Sequence, residues 1–228
     1  MVSHSLEVLS RLDPQVPAAL ARRAERWRDT DVPVEALASA SVMLLRDDEP
    51  GLEAYLLQRH ARMPFAASMV VFPGGRVDPA DHDGAVGDVW RACAVRETAE
   101  ETGVRLETAD LSAWAHWTTP ECEPRRFETR FFVAPMPSDQ TARDISGETD
   151  GAEWSTPARA LSAERRGELA LMPPTLSILL ELAELSTVAE VVDRATGRIV
   201  EPVLPVLLRR GTSWSFRYPG SDAGLDAR

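Results

Sequence analysis

Apolar positions along the chain fall into runs whose period changes from segment to segment. "ALASASVMLLRD" and "EAYLLQRH" are dense apolar stretches on either side of the turn "DDEPG", which predicts two strands joined as a hairpin. "SMVVFPGG" predicts a further short strand, stopped by Pro73, Gly74 and Gly75. The acidic, Gly- and Pro-bearing "RVDPADHDGAVGD" predicts a loop. Val89, Trp90, Cys93, Ala94 and Val95 then recur with helical spacing, and Gly103 stands where a C-terminal cap is expected. "LSAWAHWTT" and "RRFETRFFVAPM" predict strands, while "TPARALSAERRGEL" and "LMPPTLSILLELAEL" predict helices, the second with Pro173 and Pro174 near its start. "IVEPVLPVLL" reads as a last extended segment and "GSDAGLDAR" as a frayed tail. The first 33 residues predict one or two short helices. The expectation is a mixed α/β protein with an N-terminal helical extension over 1–36, a main domain over 37–210 and a tail over 211–228.

Bulk properties narrow the function classes. The 228 residues suffice for one large domain, and 44% apolar with 27% charged residues is ordinary for a globular chain. No apolar run approaches the ~20 residues of a membrane span, and "MVSHSLEVLSRLD" lacks the basic-then-apolar pattern of a leader, so a cytoplasmic protein without membrane partners is expected. A net charge of -11 argues against a nucleic acid polymer as partner. It leaves room for a small phosphorylated substrate, because bound cations reverse the local field. Cys93 and Cys122 are too few for a disulfide framework or a four-cysteine zinc site. A homodimer is compatible with the sequence, which does not specify it.

The candidate chemistry lies in "RACAVRETAEETGV". Glu97, Glu100 and Glu101 stand at i, i+3 and i+4, so a helix places them on one face, where like charges repel. Carboxylates joined by a backbone carbonyl from the Gly74-Gly75 turn form an all-oxygen donor set that suits Mg2+ or Mn2+. Arg96 precedes Glu100 by four positions and can hold it with a charge-assisted hydrogen bond. A solvated acidic face is the alternative. Elsewhere, Arg125 and Arg126 offer phosphate contacts or plain surface. Trp117, Phe127 and Phe131 offer a stacking wall or core packing, and His116 reads as a packed or surface residue.

"RETAEETGV" matches the end of the Nudix box, G-x5-E-x7-R-E-U-x-E-E-x-G-U, at every charged and glycine position, with Thr98 where a bulky aliphatic is usual. With "VFPGG" upstream, the chain resembles the Nudix hydrolases. "LLQRHARMPFAASMVVFPGGRVDPADHD", "WAHWTTPECEPRRFETRFFVAPM" and "EWSTPARAL" look like the branch that contains peroxisomal coenzyme A diphosphatases, although the ending "DAR" is not a peroxisomal signal. The resemblance implies an α/β/α sandwich around a mixed β-sheet, with additional N- and C-terminal helices. It implies divalent metal held by Glu97, Glu100, Glu101 and the Gly75 carbonyl, with Gly74, Arg96 and Gly103 shaping the motif. It implies hydrolysis of a diphosphate linkage, coenzyme A or acyl-coenzyme A being favoured over a nucleotide sugar, a dinucleotide or NADH, with a non-catalytic Nudix-fold module as the third reading. Glu148 resembles a later-loop general base, with Glu97 and Glu153 as competitors, and Arg59 answers to a basic substrate-binding position. Two departures stand out. Gly75 and Arg96 lie seven residues farther apart than in the box, implying an insertion at about 76–87. The outer acid falls on Asp88 counting back from Arg96, with His82 at the first glycine, or on Asp81 counting forward from Gly75.

Overall fold

A computed structural model describes residues 4–12, 16–28, 30–62, 66–82 and 88–219. Residues 83–87 of the expected insertion and 220–228 of the expected tail lie outside the described residues. Two short helices, α1 (His4–Leu9) and α2 (Ala18–Ala24), precede the hairpin of β1 (Ala36–Asp48) and β2 (Gly51–Arg59). Two very short strands, β3 (Val70–Val71) and β4 (Gly74–Arg76), and a 3-10 turn at Pro79–His82 lead to α3 (Val89–Thr102). Then come β5 (Ser112–Thr118), β6 (Arg126–Pro135) and β7 (Thr149–Ser155). Helices α4 (Pro157–Arg165), α5 (Pro173–Leu182) and α6 (Val188–Ala195) follow, then β8 (Pro202–Val203), β9 (Val206–Arg210) and β10 (Ser213–Arg217).

β1 organises the sheet. Its residues from Ser39 to Leu45 are all buried, as a strand covered on both faces requires. Met43 and Leu45 enter one apolar cluster with Leu161 of α4, Ile178, Leu179 and Leu182 of α5, and Val191 of α6. Ala40, Val42 and Leu44 enter a second cluster with Cys93 and Ala94 of α3. The period of two along one strand thus separates two cores, and the result is the expected α/β/α sandwich. One edge of β1 runs parallel to β6, from Ala36 opposite Arg126 to Leu45 opposite Pro135. Its other edge is shared: Ser39–Ser41 pair antiparallel with β4, and Leu45–Asp48 pair with β2. β2 also pairs with β3 and β7, while β6 continues to β5 and β8. The Gly74-Gly75 turn is therefore anchored to the middle of the sheet.

The structure adds elements that the periodicity reading does not place. α6 is capped by Thr187, whose side chain accepts the Glu190 N–H, and buries Val191 and Ala195. β7 runs through "TDGAEWS", a composition that reads as loop until β2 pairs with it. The boundary expected at 211 falls inside the β9–β10 hairpin, and the tail is corrected accordingly: Tyr218, just beyond it, is buried against Trp117 with ring centroids 5.9 Å apart. In the N-terminal helical extension, Leu9 and Leu12 belong to the first core cluster.

Candidate active site

α3 is fixed at both ends. The Asp88 carboxylate accepts the Trp90 N–H at 3.1 Å as an N-cap, and Gly103 closes the helix in the left-handed region (φ 73°), donating its N–H to Ala99. The buried stripe holds Cys93, Ala94, Thr98, Glu101 and Thr102. Thr98 is fully buried where an aliphatic was expected, and its hydroxyl donates to the Ala94 carbonyl at 2.7 Å, which satisfies the extra polar group. Beyond the helix, Arg143 and Ile145 donate their N–H groups to the carbonyls of Thr102 and Glu101 at 3.0 and 3.1 Å. These carbonyls at the helix end lack intrahelical donors, so the 143–148 loop is tied to the end of α3. Asp144 stiffens that loop by accepting from Ser146 and Thr149.

The Gly74-Gly75 turn meets the helix at its acidic face. The Gly74 N–H donates to Glu101 at 2.8 Å. A Cβ on Gly75 would overlap the Glu97 carboxylate, so a larger residue there would push that glutamate away. Glu101 is 7% exposed. Burial pushes its carboxyl up to about 7, with the charges of Glu97 and Glu148 adding, while the Gly74 N–H and the Arg59 charge oppose. Burial also raises Glu97, against its hydrogen bond to Arg96 and with the repulsion of Glu100 and Asp81.

Arg96 ties the carboxylates together. Its Nε and Nη2 donate to the two oxygens of Asp81, both at 2.9 Å, and its Nη1 donates to Glu97 and Glu100, both at 2.9 Å. Nη2 also reaches the Arg76 carbonyl at 3.0 Å. Burial alone would raise Asp81, yet these bonds and the Arg96 charge hold it below the ordinary range.

By chemistry the donors fit a hard divalent cation: three carboxylates share a face, and burial raises two of them, Glu97 and Glu101. As placed, the side chains do not converge, and among the described residues no three acidic, His or Cys groups meet at one ion position. Arg96 draws Glu97 and Glu100 aside while Glu101 turns to Gly74. Ligation therefore requires new rotamers at Glu97 and Glu100. The Gly75 carbonyl accepts from the Cys93 thiol at 3.6 Å, and Gly75 is paired with Ala40 in the β1–β4 ladder.

The other expected site residues divide. Arg59 ends β2, and Glu148 is exposed at the start of β7, its carbonyl accepting the His60 N–H at 3.0 Å; the charges of both act on Glu101. Glu153 pairs with Arg159 of α4 at 2.7 Å and sits opposite Leu56, on the sheet face away from α3. Trp117 is corrected from a stacking residue to core, 5% exposed in the cluster beneath α4–α6, where Phe131 joins it. Arg126 is corrected too: it is buried at the start of β6, where it donates to the carbonyls of Thr119 and Val34. Arg125, in the turn just before it, is exposed. His116 pairs with Glu128 at 3.0 Å. A cleft of about 430 Å³ lined by Arg46, Asp47, Met136, Gln140 and Trp154 contains none of the glutamates, so chemistry rather than cavity size marks the site. Asp81 is the residue that the box pattern leaves ambiguous; the count forward from Gly75 carries its signal.

Comparison with known proteins bears on the family and the fold. The NUDIX domain profile matches residues 36–173. A putative nudix hydrolase 7 of Caenorhabditis elegans is 27% identical over 191 residues, covering 66% of this chain and 61% of that protein. Human acyl-coenzyme A diphosphatase NUDT19 is 26% identical over 121 residues, 51% of this chain and 32% of that one. The chain thus spans less than two thirds of the length of either relative. Among solved structures, a NUDIX hydrolase from Alicyclobacillus acidocaldarius superposes with a TM-score of 0.64 at 23% identity, covering 74% of this chain and 99% of its own. The NUDIX domain of Shewanella oneidensis NrtR, complexed with ADP ribose, gives 0.51 at 18%, covering 72% and 96%.

Proposed function

The chain belongs to the NUDIX family of hydrolases, and from that premise we propose that it cleaves the diphosphate bond of a nucleoside diphosphate linked to a second group, with coenzyme A or an acyl-coenzyme A as substrate. The observation that carries the reaction is the acidic face of α3, drawn against the Gly74-Gly75 turn and overlooked by the Glu148 loop. The choice of coenzyme A rests on the diphosphatase relative and on the sequence resemblance around Arg59.

Glu97, Glu100 and Glu101, with the Gly75 carbonyl, would hold Mg2+ or Mn2+. When bound, such ions polarise phosphoryl oxygens and make water a better nucleophile. The chain's own groups do the rest. Glu148 is exposed on a loop fixed to the end of α3, and its carboxylate takes the proton of the attacking water. Arg59 sets a positive charge beside the acidic face, suited to a phosphate oxygen. One P–O bond forms from water, the anhydride P–O bond breaks, and two phosphomonoesters leave.

The test is a panel of coenzyme A, acetyl-coenzyme A, NADH and a nucleotide sugar, each with Mg2+, Mn2+ or chelator, with both products identified by mass. Adenosine 3′,5′-bisphosphate and phosphopantetheine from coenzyme A, formed only with metal, are the expected products. Cleavage of NADH or the nucleotide sugar with coenzyme A intact would reassign the substrate. No metal-dependent cleavage of any diphosphate would leave a binding module.

A further inference from the structure

We propose that Asp144 is a positioning residue of this active site: its carboxylate closes the turn over 144–149 and, through the Ser146 hydroxyl, holds the Glu148 N–H so that the Glu148 side chain is kept at the α3 face. The inference rests on the reading of Glu148 as the general base. Its own basis is a chain of bonds outside α3. Oδ1 of Asp144 accepts the Ser146 N–H at 3.1 Å and the Ser146 hydroxyl at 3.0 Å, and Oδ2 accepts the Thr149 hydroxyl. The Ser146 hydroxyl, its own proton committed to Asp144, is left as an acceptor, and it takes the Glu148 N–H at 3.1 Å. One carboxylate thus ties the chain before and after Glu148.

The turn is also seated from outside. Arg143 and Ile145, on either side of Asp144, donate to the carbonyls at the end of α3, and the Glu148 carbonyl accepts the His60 N–H at 3.0 Å. Between Ser146 and Glu148, Gly147 takes φ 68°, a left-handed conformation that a side chain would strain, and this turns the chain back so that the Glu148 N–H meets the Ser146 hydroxyl. Burial would raise the Asp144 carboxyl, yet the bonds from Thr149 and Ser146 hold it below the ordinary range, as suits an acid that works ionised and only accepts. Glu148 itself is exposed, and its charge acts on Glu101. A base needs that combination, with its backbone held and its carboxylate open to water.

The experiment compares wild type, Asp144→Ala, Asp144→Asn, Ser146→Ala, Asp139→Ala, Glu148→Gln and the double variant Asp144→Ala/Glu148→Gln. It reads kcat and KM with Mn2+ on coenzyme A, or on whichever diphosphate the substrate panel shows to be cleaved, and Mn2+ affinity by calorimetry. Glu148→Gln should lose at least about a hundredfold in kcat, the lower end for a general base. Asp144→Ala should lose at least about tenfold in kcat, with KM and Mn2+ affinity within about threefold, because a slack turn misplaces the base and not the metal ligands. Asp144→Asn keeps a carbonyl acceptor and should recover most of that loss, while Ser146→Ala should lose about threefold or more. Asp139→Ala, exposed earlier in the β6–β7 connection, should match wild type. In the Glu148→Gln background, removing Asp144 should change kcat by less than about twofold, since the two residues act as a unit. A loss of about tenfold that persists in that background would overturn the inference and leave Asp144 a structural acid. So would a wild-type kcat in Asp144→Ala, or Mn2+ affinity that falls in step with kcat. Where Asp144→Ala does not fold, Ser146→Ala carries the test, and a wild-type kcat there overturns the inference. Glu148→Gln within about threefold of the wild-type kcat would instead sink the general-base reading on which the inference rests.

Discussion

Two glutamates are buried on opposite faces of the sheet, and their surroundings differ. Glu181, on α5, is 3% exposed and forms an ion pair with Arg198 at 2.6 Å; that arginine also donates to the Trp114 carbonyl and lies over the Trp114 ring. Glu101, on α3, is 7% exposed and receives the Gly74 N–H, while its charged neighbours include Glu97 and Glu148. Among the described residues no cation forms an ion pair with it. A buried charge that is paired and hydrogen-bonded belongs to the fold. One left short of positive charge costs the fold stability, and such tension gathers where a cation or a reaction is to be accommodated. The face under α4–α6 pairs its buried glutamate; the face under α3, where the proposed chemistry lies, does not.

The sharpest way to break this comparison is to neutralise each glutamate in turn. Glu101→Gln should lower metal-dependent kcat by ~10^3 or more while the protein folds normally, because the amide still accepts the Gly74 N–H. Glu181→Gln should do the reverse, destabilising the protein by about 3 kcal/mol by leaving Arg198 buried without its counter-charge, with kcat per folded molecule within about twofold. Urea unfolding and steady-state kinetics on both variants check this; a large kinetic loss in Glu181→Gln would erase the distinction between the faces.

A second prediction separates them by pH. The folded Glu101 carboxyl sits at about 7, above its ordinary value of 4.5. Between those values the folded protein keeps a proton that the unfolded chain has released, so stability falls as pH rises through the window. Below 4.5 the contribution is complete, and above 7 it is gone. The loss in chelator is on the order of 3 kcal/mol. It should be absent from Glu101→Gln and reduced by saturating Mg2+ or Mn2+, both read from unfolding curves at pH 5 to 8. The smallest effect concerns two arginines. Arg59→Ala should raise KM by about tenfold, whereas Arg125→Ala, exposed just before β6, should change kcat/KM by less than about twofold.

The sequence made α3 and its acidic face legible because helical spacing alone places Glu97, Glu100 and Glu101 together, and because Gly103 marks the end of the helix. The β1–β2 hairpin was legible for a similar local reason, its apolar runs flanking a turn. β7 was not, since "TDGAEWS" has little strand character of its own and is held by pairing with β2. Trp117 and Arg126 misled for one shared reason. Residue type suits both of them to a ligand, but which side of a strand faces α3 is fixed by long-range pairing, and that sends Trp117 into the other core and turns Arg126 to backbone carbonyls. Asp81 and Asp88 could not be told apart by counting, because an insertion shifts the register, and only the grip on Arg96 distinguishes them.

That grip bears on how such a chain tolerates change. Asp81 and Arg96 stand fifteen positions apart, where the box pattern separates its outer acid and arginine by eight. Joining two fixed points through a segment nearly twice as long adds only about 0.6 kcal/mol of closure entropy. Asp81 is clamped on Arg96 at one end and Asp88 caps α3 at the other, so added length between them carries only this small closure cost while both ends stay held. The clamp thus works like a gasket, keeping the start of the segment seated on Arg96 whatever length follows it.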